Sequence, residues 1–240
     1  MQKDSQIERE KIHSGSCIME NIENIKQQII EAGKRLLTEG LVSRTWGNVS
    51  IRIDEIFMAI TPSGRTYEEL TLNDIVLVNY HTSQYEGNIK PSSEKELHCE
   101  IYRTRKGINA VIHTHQMNAS TVAAARREVP PILDDMAQLI GPSVRVADYA
   151  LPSTKKIVSK TVKALNGRMA ALMANHGAVC IGRTIDEAFV VCQVLEKACK
   201  AFIEAEFLGG AKSIGKFDAW FMHQYYLKKY SAMDKKNKSL

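Results

Sequence analysis

With 240 residues, 44% of them hydrophobic and 25% charged, the chain has the balance of a globular protein long enough to bury a large core. No apolar run approaches the ~20 residues of a membrane-spanning helix, the opening residues lack the apolar stretch of a signal peptide, and five cysteines without a C-x-x-C pair argue against a disulfide framework and for a reducing cytoplasm. The net charge of +5 owes much to the tail, at Lys228, Lys229, Lys235, Lys236 and Lys238, with no Arg-rich helix or aromatic platform, so neither nucleic acid nor membrane is an expected partner.

Residues 1–18 are polar and patternless and read as a disordered extension, leaving residues 19–240 as one domain with a basic, mobile end, since no linker divides them. From Asn21 the apolar positions Ile22, Ile25, Ile29, Ala32 and Leu36 recur at helical spacing, predicting an amphipathic helix that ends near Gly40. Short β-like runs follow at residues 49–53, 57–60 and 75–78. Residues 93–102 read as a helix, opened by a Ser93-x-x-Glu96 capping box. A strand at 110–115 precedes a helix at 119–125, and strands at 144–146 and 170–173 flank a helix at 153–165. A strand at 178–182 leads to Thr184-x-x-Glu187, a second capping box that opens a long helix to about Leu208. Strands mixed with helices make the chain α/β or α+β.

The sharpest chemical signal is His113-Thr114-His115 in the apolar strand. Residues i and i+2 of a strand share a face, so two imidazoles project side by side and can converge on one metal ion. Asn175-His176-Gly177 joins two apolar runs, where a turn places a third histidine at a sheet rim. Three neutral histidines leave a divalent ion with open positions, the arrangement of catalytic zinc, although cobalt, iron and manganese accept the same donors. His98, His81 and His13 lie in polar or helical settings and read as structural or surface residues. The segment Pro91-Ser92-Ser93-Glu94 puts two hydroxyls ahead of a helix start, which suits an anion, and offers Glu94 as metal ligand or general base. The turns Thr45-Trp46-Gly47-Asn48 and Thr61-Pro62-Ser63-Gly64 combine close backbone approach at glycine with small donors. No P-loop pattern is present, so nucleotide binding has no support.

In this order, Gly47-Asn48-Val49-Ser50, Ile60 to Gly64, Pro91 to Glu94, His113-Thr114-His115 and Asn175-His176-Gly177 resemble the class II aldolase/adducin family over residues 20–210. The resemblance implies an α/β fold, a three-layer α/β/α single domain around a mostly antiparallel sheet, assembled as a homotetramer with active sites between subunits. It implies zinc-dependent cleavage of a ketose 1-phosphate, L-fuculose 1-phosphate or similar, to dihydroxyacetone phosphate and an aldehyde such as L-lactaldehyde. By motif, His113, His115 and His176 are the implied metal ligands, with Glu94 as the fourth donor and the proton-transfer group. Gly47, Asn48, Ser63, Gly64, Ser92 and Ser93 are the implied phosphate pocket, and Tyr230 in the tail is the implied oxygen-protonating residue. Two departures stand out. The stretch from Ile132 to Met136 lacks the tyrosine that such aldolases carry after the metal strand, and Asn118 stands where a histidine is expected. The rival readings are a ribulose-phosphate epimerase of the same fold, which usually has Asp in place of Glu94, and a non-catalytic adducin-like interaction module, in which the metal ligands would have decayed.

Overall fold

The β-branched runs in the middle of the chain form β1 (Asn48–Arg52), β2 (Phe57–Ile60), β3 (Val76–Asn79), β4 (Ala110–Thr114), β5 (Arg145–Ala147), β6 (Ala170–Met173) and β7 (Gly177–Gly182). They pair in a single sheet, seven-stranded among the described residues, in the order β3-β2-β1-β4-β7-β6-β5. Every pairing is antiparallel except β5 with β6. The structure, a computed structural model, describes the backbone of residues 2–237 and the side chains of residues 19–229.

The helices are α1 (Gln2–Thr38), α2 (Lys95–Thr104), α3 (Met117–Ala124), α4 (Asp134–Leu139), α5 (Lys155–Leu165), α6 (Ile185–Phe207) and α7 (Lys216–Asn237). Helices α1, α3 and α4 each pack against α6, whereas α2 packs against α5 and α5 covers β5 and β6, so helices sandwich the sheet in three layers. The core runs through all of them, with Ile29, Leu36, Val49, Ile112, Val179 and Leu195 inaccessible to solvent. Among the described residues no helix is long and apolar enough to cross a membrane. Cys99, Cys180, Cys192 and Cys199 are buried free thiols.

Several local expectations are revised. Helix α1 runs from Gln2 to Thr38 and so begins before the Asn21 start that the apolar spacing predicts; residues 2–18 hold no proline and several Glu, Gln and Lys, all good helix formers. The Ser93/Glu96 capping box does not form. Glu94 is the N-cap of α2, its amide donates to Ser92 Oγ (3.2 Å), and Glu96 instead accepts from Lys95 and Ser83. At α6 only half the box closes: Glu187 N donates to Thr184 Oγ1, but the Glu187 carboxylate reaches one residue further back, to Arg183 N. Helix α4 was not anticipated, and α7 is the terminal helix that the run Tyr225-Tyr226 allowed. In α7 the pattern is inverted, with Phe217, Trp220, Phe221 and Tyr225 exposed and Ala219 and His223 buried.

Strand alternation gives β1 two unlike faces. Val49 and Ile51 point toward α1, while Asn48, Ser50 and Arg52 point toward α2. Arg52 donates to Ile108 O (3.0 Å), Tyr80 Oη (2.7 Å) and Tyr102 O (2.8 Å), and its guanidinium lies over both tyrosine rings. Hydrogen bonds to a charged group contribute about 1.5–3 kcal/mol, and losing one leaves acceptors without a donor. Arg52→Leu is therefore expected to destabilise the protein by on the order of 3 kcal/mol, read as a lower urea midpoint. An unchanged midpoint would mean water replaces the guanidinium at no cost.

Candidate active site

The antiparallel register of β1 with β4 sets Asn48 directly opposite His113, on the face that α2 covers. His115 follows β4 by one residue, and His176 lies in the turn between β6 and β7, whose Ala178 pairs with Thr114. That turn depends on its sequence. Asn175 adopts a left-handed conformation (φ 57°), which asparagine tolerates, and its Oδ1 accepts from Arg126 Nη2 (3.1 Å). His176 N closes the turn on Met173 O (3.0 Å), and a side chain on Gly177 would strike the Thr114 carbonyl.

These elements bring four residues together. Single donor atoms of Glu94, His113, His115 and His176 all lie within 4.8 Å of one another, a grouping able to hold a metal ion. The three rings meet edge-on, with centroids 4.7 Å, 4.9 Å and 5.0 Å apart. His113 Nε2 sits 2.8 Å from His115 Nε2 and 3.1 Å from Glu94 Oε2, and Glu94 Oε1 is 3.4 Å from His176 Nε2.

The donor chemistry calls for a cation. The Ala178 carbonyl, 2.8 Å from His113 Nδ1, can only accept, so that nitrogen carries a proton and Nε2 presents its lone pair to the cluster. A backbone carbonyl behind a ligating imidazole is the usual second-shell support of a metal site. Burial disfavours charge on Glu94, yet His113 and His176 beside it and the Asn48 amide hold its carboxyl far below the usual carboxylate range. Burial also opposes charge on His113, but the Glu94 carboxylate outweighs it and raises that imidazole. Burial and the neighbouring imidazoles push His115 down to about 3, and burial with His113 lowers His176. Neutral imidazoles next to an ionised carboxylate fit a divalent metal, which would stand where a proton on His113 otherwise balances Glu94.

His113 is buried beside Glu94, His115 and His176, which form one side of a cavity of about 200 Å³. Its other walls include Gly47, Asn48, Ser63, Gly64, Ser92 and Ser93, with no Lys or Arg among the lining residues. Ser63 N donates to Lys90 O and Ser92 N to Thr61 O, which staples the Thr61–Gly64 turn to the segment before α2. Asn48 also reaches behind the wall: its NH2 donates to Glu94 and its Oδ1 meets His98. A larger groove of about 810 Å³ beside β3 carries no such convergence of titratable groups.

Gly47 has φ +80°, and a Cβ there would come 2.7 Å from both His113 O and Val42 Cγ1. Gly47→Ala is thus expected to cost about 1–3 kcal/mol in strain and to push the loop off the metal strand. Both a lower melting temperature and weaker metal retention should follow. Parent-like values for both would remove the loop's claim on the site.

Other expected residues fall elsewhere. Asn118 N and Nδ2 both donate to Glu196 Oε1 of α6 (2.9 Å and 2.7 Å), away from the cluster. Asp134 opens α4 and does not line the cavity, while Asp135 pairs with Lys197 (2.6 Å). Tyr230 belongs to α7. Its helix passes the Glu187 carboxylate at Tyr226, near the end of β7 remote from His176, and the Tyr230 side chain lies outside the described residues. Sequence reasoning missed Trp46, whose ring stacks on His115 at 6.1 Å, and Pro152 and Ser153, which line the cavity just before α5. His98, expected as a structural or surface residue, is fully buried and hydrogen-bonded to Asn48 and Ser50.

This fold has known counterparts. The family model described as Class II Aldolase and Adducin N-terminal domain matches residues 27–203, and the chain belongs to that family. The chain is 34% identical over 188 residues to the 5-deoxy-D-ribulose 1-phosphate aldolase of Bacillus thuringiensis serovar kurstaki, covering 78% of this chain and 88% of that one. It is 31% identical over 179 residues to the L-fuculose phosphate aldolase of Escherichia coli K12, covering 75% of this chain and 82% of that one. A solved structure of an L-fuculose 1-phosphate aldolase superposes with a TM-score of 0.81 at 33% identity, covering 85% of this chain and 96% of the other.

Proposed function

We propose that this protein is a zinc-dependent aldolase that cleaves a ketose 1-phosphate to dihydroxyacetone phosphate and an aldehyde. The observation that carries the reading is the convergence of Glu94, His113, His115 and His176 beside a cavity whose other walls carry small neutral donors and no Lys or Arg. A bound divalent metal supplies Lewis acidity toward the substrate carbonyl and its neighbouring hydroxyl. The hydroxyls of Ser63, Ser92 and Ser93 and the backbone amides of Gly64 and Ser93 hold the phosphate, which fixes the carbon chain relative to Glu94. In the cleavage direction the C3–C4 bond breaks as the C4 hydroxyl passes its proton to solvent and becomes the aldehyde, and the electron pair stays with C3. Glu94, protonated from solvent in that state, then delivers its proton to C3, and in the reverse direction its carboxylate removes it.

The relatives named above act on 5-deoxy-D-ribulose 1-phosphate and L-fuculose phosphate, and these sugars are the first substrates to try. L-Lactaldehyde would be the aldehyde from the fuculose ester. Assembly as a homotetramer, with Tyr230 of one subunit closing over the site of another, would reconcile that residue with the placement of α7. The zinc-loaded enzyme, given a panel of ketose phosphates, is expected to release dihydroxyacetone phosphate, detected by a coupled reductase. The matching unphosphorylated ketose should be at least 100-fold poorer in kcat/KM, since roughly 2.7 kcal/mol of binding corresponds to that ratio. Equal kcat/KM for the two, or epimerisation without release of the triose phosphate, would contradict the proposal.

A further inference from the structure

From Asn48, in the cavity wall beside Glu94, a line of buried polar side chains runs into the core. Asn48 Nδ2 lies 3.1 Å from Glu94 Oε2, and Asn48 Oδ1 is hydrogen-bonded to His98 Nε2. His98 Nδ1 meets Ser50 Oγ at 2.6 Å, and Ser50 Oγ meets Tyr102 Oη at 2.8 Å. Asn48 is 3% exposed, Tyr102 1%, and Ser50 and His98 not at all. The line is built from two facing stripes: Asn48 and Ser50, two apart on β1, and Glu94, His98 and Tyr102, four apart along one face of α2.

The direction of every hydrogen bond follows from one fact. An ionised Glu94 can only accept, so the amide NH2 of Asn48 must face it and Oδ1 must face His98. That carbonyl oxygen needs a donor, so His98 carries its proton on Nε2. Burial, reinforced by His113, pushes the His98 imidazole down to about 3 and keeps it neutral. Its bare Nδ1 then accepts from the Ser50 hydroxyl, and Ser50 Oγ accepts from the Tyr102 phenol. A flipped Asn48 would set Oδ1 against the carboxylate and leave two donors face to face at His98. A fully satisfied chain of this kind holds one arrangement.

We propose that His98 is a positioning residue: by donating from Nε2 to Asn48 Oδ1 it locks the Asn48 amide with its NH2 toward Glu94, and thereby fixes the Glu94 carboxylate at the three-histidine cluster. The inference rests on the reading of Glu94 as metal ligand and proton-transfer group. It also withdraws part of Asn48 from the phosphate pocket, leaving one amide N–H for substrate.

Two measurements on the full chain test it. With histidine labelled in 15N, the His98 imidazole should show the neutral Nε2–H tautomer at pH 7, in both metal-stripped and zinc-loaded protein. An Nδ1–H tautomer or an imidazolium would overturn the lock without any variant having to fold. His98→Gln, which retains an amide donor toward Asn48, is then compared with His98→Leu, which does not. His98→Leu should bind zinc about 10–100-fold more weakly, the usual effect of losing outer-shell support, measured by chelator competition. It should also lower kcat with little change in KM, and His98→Gln should recover most of both. A folded His98→Leu protein with parental zinc affinity and kcat, or equal losses in the two variants, would contradict the positioning role. If the parent itself cleaves no ketose phosphate, the proposed reaction fails, while the tautomer and the zinc affinities still decide the role of His98.

Discussion

Glu94→Gln is expected to leave the protein folded and to slow ketose-phosphate cleavage by about 10²–10⁴-fold, the usual contribution of a general acid–base group. The new amide can offer its oxygen to Asn48 Nδ2 and its NH2 to an imidazole lone pair, so the cavity wall keeps its shape. What disappears is the carboxylate that accepts a proton. Its loss also removes the negative charge that raises His113, so that imidazole should return toward its ordinary range or below it, because burial alone lowers it. The check is kcat together with solvent-deuterium exchange into dihydroxyacetone phosphate. Near-parental exchange would reduce Glu94 to the N-cap of α2.

His113→Ala should have the larger effect. His113 is fully buried, its Nδ1 is tied to Ala178, and its Nε2 is the nearest neighbour of both His115 and Glu94. Without it the remaining donors are two imidazoles and a carboxylate with no strand-anchored partner between them. Metal content after gel filtration should drop well below that of the parent, and activity should fall about 10³-fold or more, since Lewis-acid stabilisation is worth several kcal/mol. His176→Ala is the companion variant, because His176 belongs to a turn and its truncation threatens the sheet less. Full metal retention in both variants would contradict the assignment of the ligands.

How much of this was legible in the sequence depends on the range of the interaction involved. The pairing of His113 with His115 follows from strand alternation, a local rule, and the turn at His176 follows from Asn175 and Gly177, whose backbone demands are also local. Together with the five ordered motifs these were enough to anticipate the mixed sheet and the four-residue cluster. The buried line from Asn48 was not anticipated. It depends on β1 facing α2, a contact between Ser50 and His98 across 48 residues of chain. Its traces were present as the polar alternation Asn48, Ser50, Arg52 and the four-residue spacing Glu94, His98, Tyr102, yet each alone looks like an ordinary surface face. The Ser93/Glu96 box failed for a related reason: Ser83, brought in from another segment, competed for Glu96. The extent of α7 was not legible because its large apolar residues point outward, so periodicity had no buried stripe to report.

The most direct test of the central claim is proton exchange at C3 of dihydroxyacetone phosphate in deuterium oxide, followed by NMR with metal-stripped and zinc-loaded protein. It needs no knowledge of the aldehyde partner and isolates the step that joins the metal cluster to Glu94. Zinc-loaded protein should exchange one hydrogen of the hydroxymethyl group at a catalytic rate, and the stripped protein and zinc-treated His113→Ala should both fall to near background. Equal exchange by stripped and loaded protein, or none by either, would contradict a metal-dependent aldolase built on Glu94, His113, His115 and His176.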